Sequence, residues 1–220
     1  MRIIEVKKRR KSLFAIVFEE GTDLSFCTPE KDSLGLPLLD AGLVAEKNLS
    51  AETELSNEEF KELVCESCRR RAKSRAMWYL SRGDHSEKEL FLKLKRAFPE
   101  YAAAFAVEKM KEYGYLNDER YAERLAQSLL CGKKVGVREA QAVMTAKGID
   151  RETARYALED VECDTVSVIK ELVNKKYKNR LTEEKGVQKV IAALARRGFS
   201  FSDIREALKS LDCEAEIYED

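Results

Sequence analysis

Lysine and arginine clusters carry the recognition chemistry of this sequence. Arg69, Arg70 and Lys73 recur at helical i, i+3 and i+4 spacing, with Arg75 two residues on. The opposite face of that helix reads Val64, Cys68, Ala72, Ala76 and Tyr79. A guanidinium is a planar fork of donors that fits a phosphate or a carboxylate. Glu66 is the acid closest to the stripe, which therefore reads as largely uncompensated; a plain solvated helix face is the alternative. Further basic groups lie at Lys133, Lys134 and Arg138, at Lys175, Lys176, Lys178 and Arg180, and at Arg196 and Arg197, the last two matched by Lys147. These are the candidate partner-binding residues.

Bond-making chemistry finds less support. Cys65-Glu-Ser-Cys68 has CxxC spacing, but zinc needs a second pair of ligands and His85 is the sole histidine. Cys27, Cys131, Cys163 and Cys213 are scattered, which favours free thiols over a disulfide framework. Trp78 and His85 have no catalytic partners; Trp78 is expected to pack against its own bundle, and His85 to sit in a turn before a helix cap. There is neither a glycine-rich phosphate loop nor a nucleophile elbow. The expectation is a protein without catalytic residues, metal or cofactor.

Composition narrows the class further. Of 220 residues, 44% are apolar and 36% charged, the latter above the roughly 25% usual for globular chains. The formal net charge is zero, which argues against a general polyanion binder, although local patches can still steer a partner. No apolar run approaches the roughly 18 residues of a membrane span, and no signal peptide is apparent, so a cytoplasmic location is expected.

The elements that must position these groups repeat. Sliding 136–158 onto 186–208 gives seven identities in 23 positions, among them Gly136/Gly186, Gly148/Gly198 and Leu158/Leu208. A period of this length marks a repeat architecture. Leu90, Phe91 and Leu94 align one step earlier, with Ala140, Gln141 and Met144 and with Val190, Ile191 and Leu194. Each repeat then has a first helix (about 57–81, 118–130, 163–179) and a second (86–97, 136–147, 183–197). Gly148 and Gly198 suit the left-handed residue that ends a helix, and Asp150 and Ser200 cap a third. Ser56-Asn-Glu-Glu59 and Ser86-Glu-Lys-Glu89 read as capping boxes. In this frame Lys133, Lys134 and Lys175–Arg180 fall in the turns between first and second helices, a repetition that suits a protein tracking a polymer of repeated subunits.

Residues 1–55 are different. The runs Arg2–Val6, Ser12–Phe18 and Leu24–Cys27 read as a small antiparallel meander, with a short helix or turn over 29–45. A second helix followed by a tight turn and a third helix also invites a helix-turn-helix reading. Glu152 and Asp203 near the starts of the third helices argue against base readout, since acids face phosphate repulsion.

Ala76-Met-Trp-Tyr-Leu80, Arg82 and Ser86-x-x-Glu89-Leu90-x-x-Lys93-Leu94 resemble the first repeat of the RecX family of recombinase regulators. Tyr113-Gly-Tyr-Leu-Asn-Asp-Glu-Arg-Tyr-Ala122 resembles that family's central motif, and Lys147-Gly148-Ile149 and Arg197-Gly198-Phe199 continue the likeness over roughly 58–211. The resemblance implies a non-enzymatic protein that binds the RecA recombinase filament on single-stranded DNA, touching that DNA indirectly or weakly, and modulates ATP hydrolysis, extension and strand exchange, most readily by inhibition. The alternatives are a nucleic-acid-binding module or a protein adaptor acting without a recombinase. Tyr115, Leu116, Tyr121 and Leu125 are expected to form the joint between the first two repeats.

The expected fold is thus mainly α: three tandem three-helix bundles in an elongated, monomeric chain behind a β-rich module. The expected boundaries are 1–55 for the module, then 56–116, 117–162 and 163–220, the last with an acidic tail.

Overall fold

The structure is a computed structural model that describes residues 1–9, 12–25, 31–181 and 185–211. It divides into two compact units, one of Met1–Gly83 with Leu90–Leu116, the other of Asp84–Glu89 with the chain from Asn117 onward. Phe26, Cys27, Cys213 and the acidic tail from 212 lie outside the described residues.

In the first unit, β1 (Ile3–Lys8), β2 (Leu13–Phe18) and β3 (Leu38–Asp40) form an antiparallel sheet in the order β1-β2-β3. The third strand is therefore Leu38–Asp40, where a helix or turn was expected, and Leu24 and Ser25 are not in a strand. Leu38 and Leu39 are buried and pair with Ala15 and Phe14, so the strand is selected by the core it completes. Asp40 ends the strand and caps α1 (Ala41–Glu46) by accepting from the Leu43 amide at 3.2 Å.

The long α2 (Asn57–Leu80) opens on the expected capping box: Glu59 N donates to Ser56 Oγ, and Ser56 N to the Glu59 carboxylate. Its first turns face the sheet, where Phe60, Leu63 and Val64 join Ile3, Ile16, Leu39 and Leu43 in one core. The Phe60 and Phe18 rings meet edge to face, 4.9 Å between centres. Farther along, Cys68, Ala72 and Ala76 face Ala102, Ala103 and Ala106 of α4 (Glu100–Glu112). Small residues on both helices allow close backbone approach, and Leu90 and Leu94 of α3 (Glu87–Lys95) fill the rest of that core. One helix thus serves two cores. The turn after α4 closes on Gly114 at φ +72°, with Tyr115 N reaching back to Met110 O.

The second unit holds two more three-helix sets, each around its own core. The first comprises α5 (Asp118–Gln127), continued by a π-helical turn Ser128–Gly132, α6 (Val137–Ala146) and α7 (Arg151–Glu159). The second comprises α8 (Thr165–Leu172), continued by a π-helical turn Val173–Tyr177 and α9 (Lys178–Leu181), then α10 (Gly186–Arg196) and α11 (Phe201–Lys209). Tyr121, Ala140, Met144, Ala154 and Leu158 line the first core; Ile169, Val190, Leu194, Ile204 and Leu208 line the second. Met144 and Leu194, fifty residues apart in the repeat, are both fully buried. Gly148 (φ +91°) and Gly198 (φ +85°) end α6 and α10 in the left-handed region. The Ile149 and Phe199 amides return to Met144 O and Leu194 O as the Schellman turn requires. Asp150 and Ser200 cap the third helices as expected.

Candidate partner-binding surfaces

In the first unit, the basic stripe of α2 is built together with aromatic rings. Trp78 is 44% exposed, and the guanidinium of Arg82 lies 4.4 Å from its ring centre and that of Arg75 5.5 Å. Steps of three and four residues bring both cations to one indole. Trp78, expected to pack against its own bundle, does so only in part: it meets Tyr79 edge to face and is otherwise a surface ring beside two arginines. The reason is register: Ala72 and Ala76 occupy the buried face, and position 78 falls away from it.

Arg69 lies 5.5 Å from the Phe105 ring centre and 6.0 Å from that of Tyr101, and Arg71 5.7 Å from that of Phe98. Such pairs are worth about 0.5–1 kcal/mol each at exposed sites, and Arg69 also lies 4.0 Å from the Glu66 carboxylate. The Tyr101 phenol is pushed up by burial and by the Cys65 and Cys68 thiols beside it, so it stays a neutral hydroxyl.

Arg70 differs from its neighbours. Its guanidinium sits 2.9 Å from Glu66 and 2.7 Å from Glu46 of α1, which hold its pKa above the ordinary value. The stripe is therefore partly compensated, by an acid 24 residues upstream of Arg70 that helical spacing could not reveal. Lys73 is half-buried and Arg75 exposed.

In the second unit, Lys133 and Lys134 follow the π-helical end of α5 as expected of a turn, whereas Lys175, Lys176, Lys178 and Arg180 lie not in a turn but in the π-helical segment and α9 that prolong the first helix. These cations fall into two kinds. Glu171 bridges Lys134 and Lys175, and these two ammonium groups hold its carboxyl down to about 2. Arg197 is turned inward: its guanidinium donates to the main-chain carbonyls of Lys133 and Lys134, at 3.0 Å each. Those bonds close the left-handed turn at Lys134 (φ +54°). Lys133, Arg138, Lys176, Lys178 and Arg196 point to solvent and have no ion pair among the described residues, and Arg180 lies 6.0 Å from the Tyr177 ring centre. Lys147 pairs with Glu89 at 3.6 Å.

The central tyrosine motif also splits. Tyr113 and Tyr115 are 52% and 57% exposed and meet edge to face, whereas Leu116 and Tyr121 are buried. Tyr115 therefore does not take the buried place expected of it, because the left-handed turn at Gly114 carries it outward. His85 Nδ1 is 3.4 Å from Glu89. Among the described residues, no three His, Cys, Asp or Glu side chains come together as a metal site would require, and no helix is long and apolar enough to cross a membrane.

Arg82, Tyr101 and Phe105 were not among the residues expected to bind a partner. Trp78 and Arg82 were visible as an i, i+4 pair, but the approach of α4 to α2 was not.

Three-helix sets that follow one another along the chain, each with its own core, define a helical-repeat protein. Residues 72–110 match the family model of the first three-helix domain of RecX, and residues 162–208 that of the third. The regulatory protein RecX of Caldanaerobacter subterraneus is 32% identical over 215 residues, covering 94% of this chain and 98% of the relative. That of Clostridioides difficile is 29% identical over 172 residues, covering 77% and 81%. A crystal structure of regulatory protein RecX superposes with a TM-score of 0.65 at 20% identity over 95% of this chain and 98% of the other. One from Lactobacillus salivarius gives 0.60 at 22% identity over 67% and 98%. The chain belongs to the RecX family of regulatory proteins.

Proposed function

We propose that this protein regulates the RecA recombinase by binding the RecA–single-stranded DNA filament and restraining its ATPase, extension and strand exchange. It does so by occupancy, with no reaction of its own. Membership of the RecX family supports the regulatory role, and the observation that carries the filament reading is the recurrence of exposed cations about the C-terminal end of the first helix in successive three-helix sets. A repeated binding element suits a repeated target, because each weak contact is made again at high effective concentration.

Lys133 and Arg138 in one set, Lys176, Lys178 and Arg180 in the next, and Arg69, Arg75 and Arg82 beside their aromatic rings are the contact residues of this reading. Guanidinium groups over rings can meet either carboxylates of recombinase subunits or the phosphates and bases of the enclosed strand. Zero net charge keeps affinity for bare DNA low, because few phosphates are neutralised.

The test is recombinase ATP hydrolysis on single-stranded DNA with the protein added. Inhibition with shortened filaments is the expected result. Unchanged hydrolysis together with unchanged filament length overturns the proposal. Tight binding to DNA alone, with a steep salt slope, would instead favour a direct nucleic-acid module.

A further inference from the structure

The β-rich module enters the surfaces above only through Glu46, yet it builds a groove with α2. About 540 Å³ in volume, the groove lies between α1, the 47–55 loop and the first turns of α2. Leu43, Leu49, Leu55 and Leu63 form its apolar lining, and Glu46, Glu59, Glu62 and Glu66 its acidic one. Lys47 and Arg70 are the bases there. Arg70 shows how the groove holds a basic side chain: its guanidinium is shared between Glu46 from α1 and Glu66 from α2. Glu62 and Glu59 repeat the Glu66 position one and two turns nearer the start of α2. Glu62 has no ion pair among the described residues. Glu59 accepts from the Ser56 amide, which keeps its carboxyl ionised below the ordinary range.

We infer that this groove docks an arginine- or lysine-bearing segment of another protein. The long stem of such a side chain covers leucine surface while its head reaches a carboxylate, the arrangement Arg70 already adopts within the chain. The charge sign commits the groove to this occupant: a nucleic acid strand or an acidic peptide would meet four carboxylates, of which Arg70 answers two. The same helix therefore presents acids to one ligand at its start and arginines to another at its end. This site goes beyond the recombinase reading and does not depend on it.

The test uses the full chain, labelled with ¹⁵N, and a synthetic peptide of repeating Arg-Ala-Leu, with a control peptide carrying Glu for every Arg. The Arg peptide should shift the amides of Leu49, Thr53, Leu55 and Glu62, and the Glu peptide should not. Glu62→Lys should weaken binding roughly tenfold by turning an attraction into a repulsion, whereas Glu123→Lys on α5 should leave it at the parent value. Shifts located elsewhere, equal loss in both variants, binding of the Glu peptide, or no binding of the Arg peptide overturns the inference. Recombinase activity does not enter this readout, so either reading can fail alone.

Discussion

Gly136 and Gly198 meet backbone to backbone: a Cβ on Gly136 would fall 2.1 Å from the Gly198 carbonyl carbon, and one on Gly198 2.4 Å from the Glu139 nitrogen. Beside them Gly136 N donates to Arg197 O at 2.8 Å and Arg138 N to Gly198 O at 3.3 Å. The start of α6 is thus sewn to the end of α10. The same joint occurs once more in the second unit, where Ser86 Oγ donates to Lys147 O, 61 residues on, as Arg197 is from Gly136. A Cβ on Gly148 would there stand 2.6 Å from Lys88 Cβ.

Gly198→Ala should be strongly destabilising, since it adds both a backbone clash and a left-handed alanine, about 2–4 kcal/mol together. Gly132→Ala, whose Cβ would meet nothing closer than 4.0 Å, should cost little. Hydrogen exchange of the second unit measures the difference, and equal protection in the two variants would refute the joint's role.

Arg197→Ala should loosen the turn at 133–136, with a loss of about 1–3 kcal/mol from two unmade charged hydrogen bonds. Arg197→Lys should recover part of the loss, because both bonds leave the single Nη2 nitrogen and an ammonium also has donors for two carbonyls, though its shorter stem reaches them less well. Arg196→Ala, on the exposed neighbour, should be nearly neutral. Urea unfolding of the three variants tests this order.

Acid should open the Lys134–Glu171–Lys175 bridge. The folded carboxyl of Glu171 titrates near 2, below its ordinary value of 4.5. Its contribution is therefore complete above about 4.5 and is lost as pH falls toward 2. Carbon-detected NMR titration should show this low midpoint, and Lys134→Met should raise it toward the ordinary carboxylate value. Salt should raise it too, since the group is solvent-exposed.

Trp78 is the single tryptophan and half-exposed between Arg75 and Arg82, so its fluorescence reports on that surface directly. Arg82→Ala should change the emission of the free protein without unfolding it. On the proposed function, Arg75→Ala with Arg82→Ala should raise the concentration needed for half-inhibition roughly tenfold, the effect of removing an anchor of hot-spot strength. An unchanged inhibition curve would remove this face from the interface.

Local order was legible because its causes are local. Ser56 and Glu59, Asp150, and Ser200 sit within three residues of the amides they cap, and Gly148 and Gly198 are where left-handed residues must stand. The fifty-residue period located equivalent core residues such as Met144 and Leu194 for the same reason: helical spacing decides which side of a helix is apolar. Strand Leu38–Asp40 was missed because a strand this short is made by its partner β2 and the Ser67 hydroxyl, which accepts from Asp40 N.

The basic residues show the division most clearly. Sequence alone determined which cations recur and that they gather on one face of α2 and about the ends of later helices. Tertiary structure decided their fates: Arg70 is pinned between acids of two helices, Arg197 is turned into the joint, Lys134 is bridged by Glu171, and Arg75 and Arg82 flank an exposed indole. Spacing specifies where a side chain leaves its own helix, but the groups it meets come from residues as many as 64 positions away. Those partners arrive only when the cores have set the distances between helices.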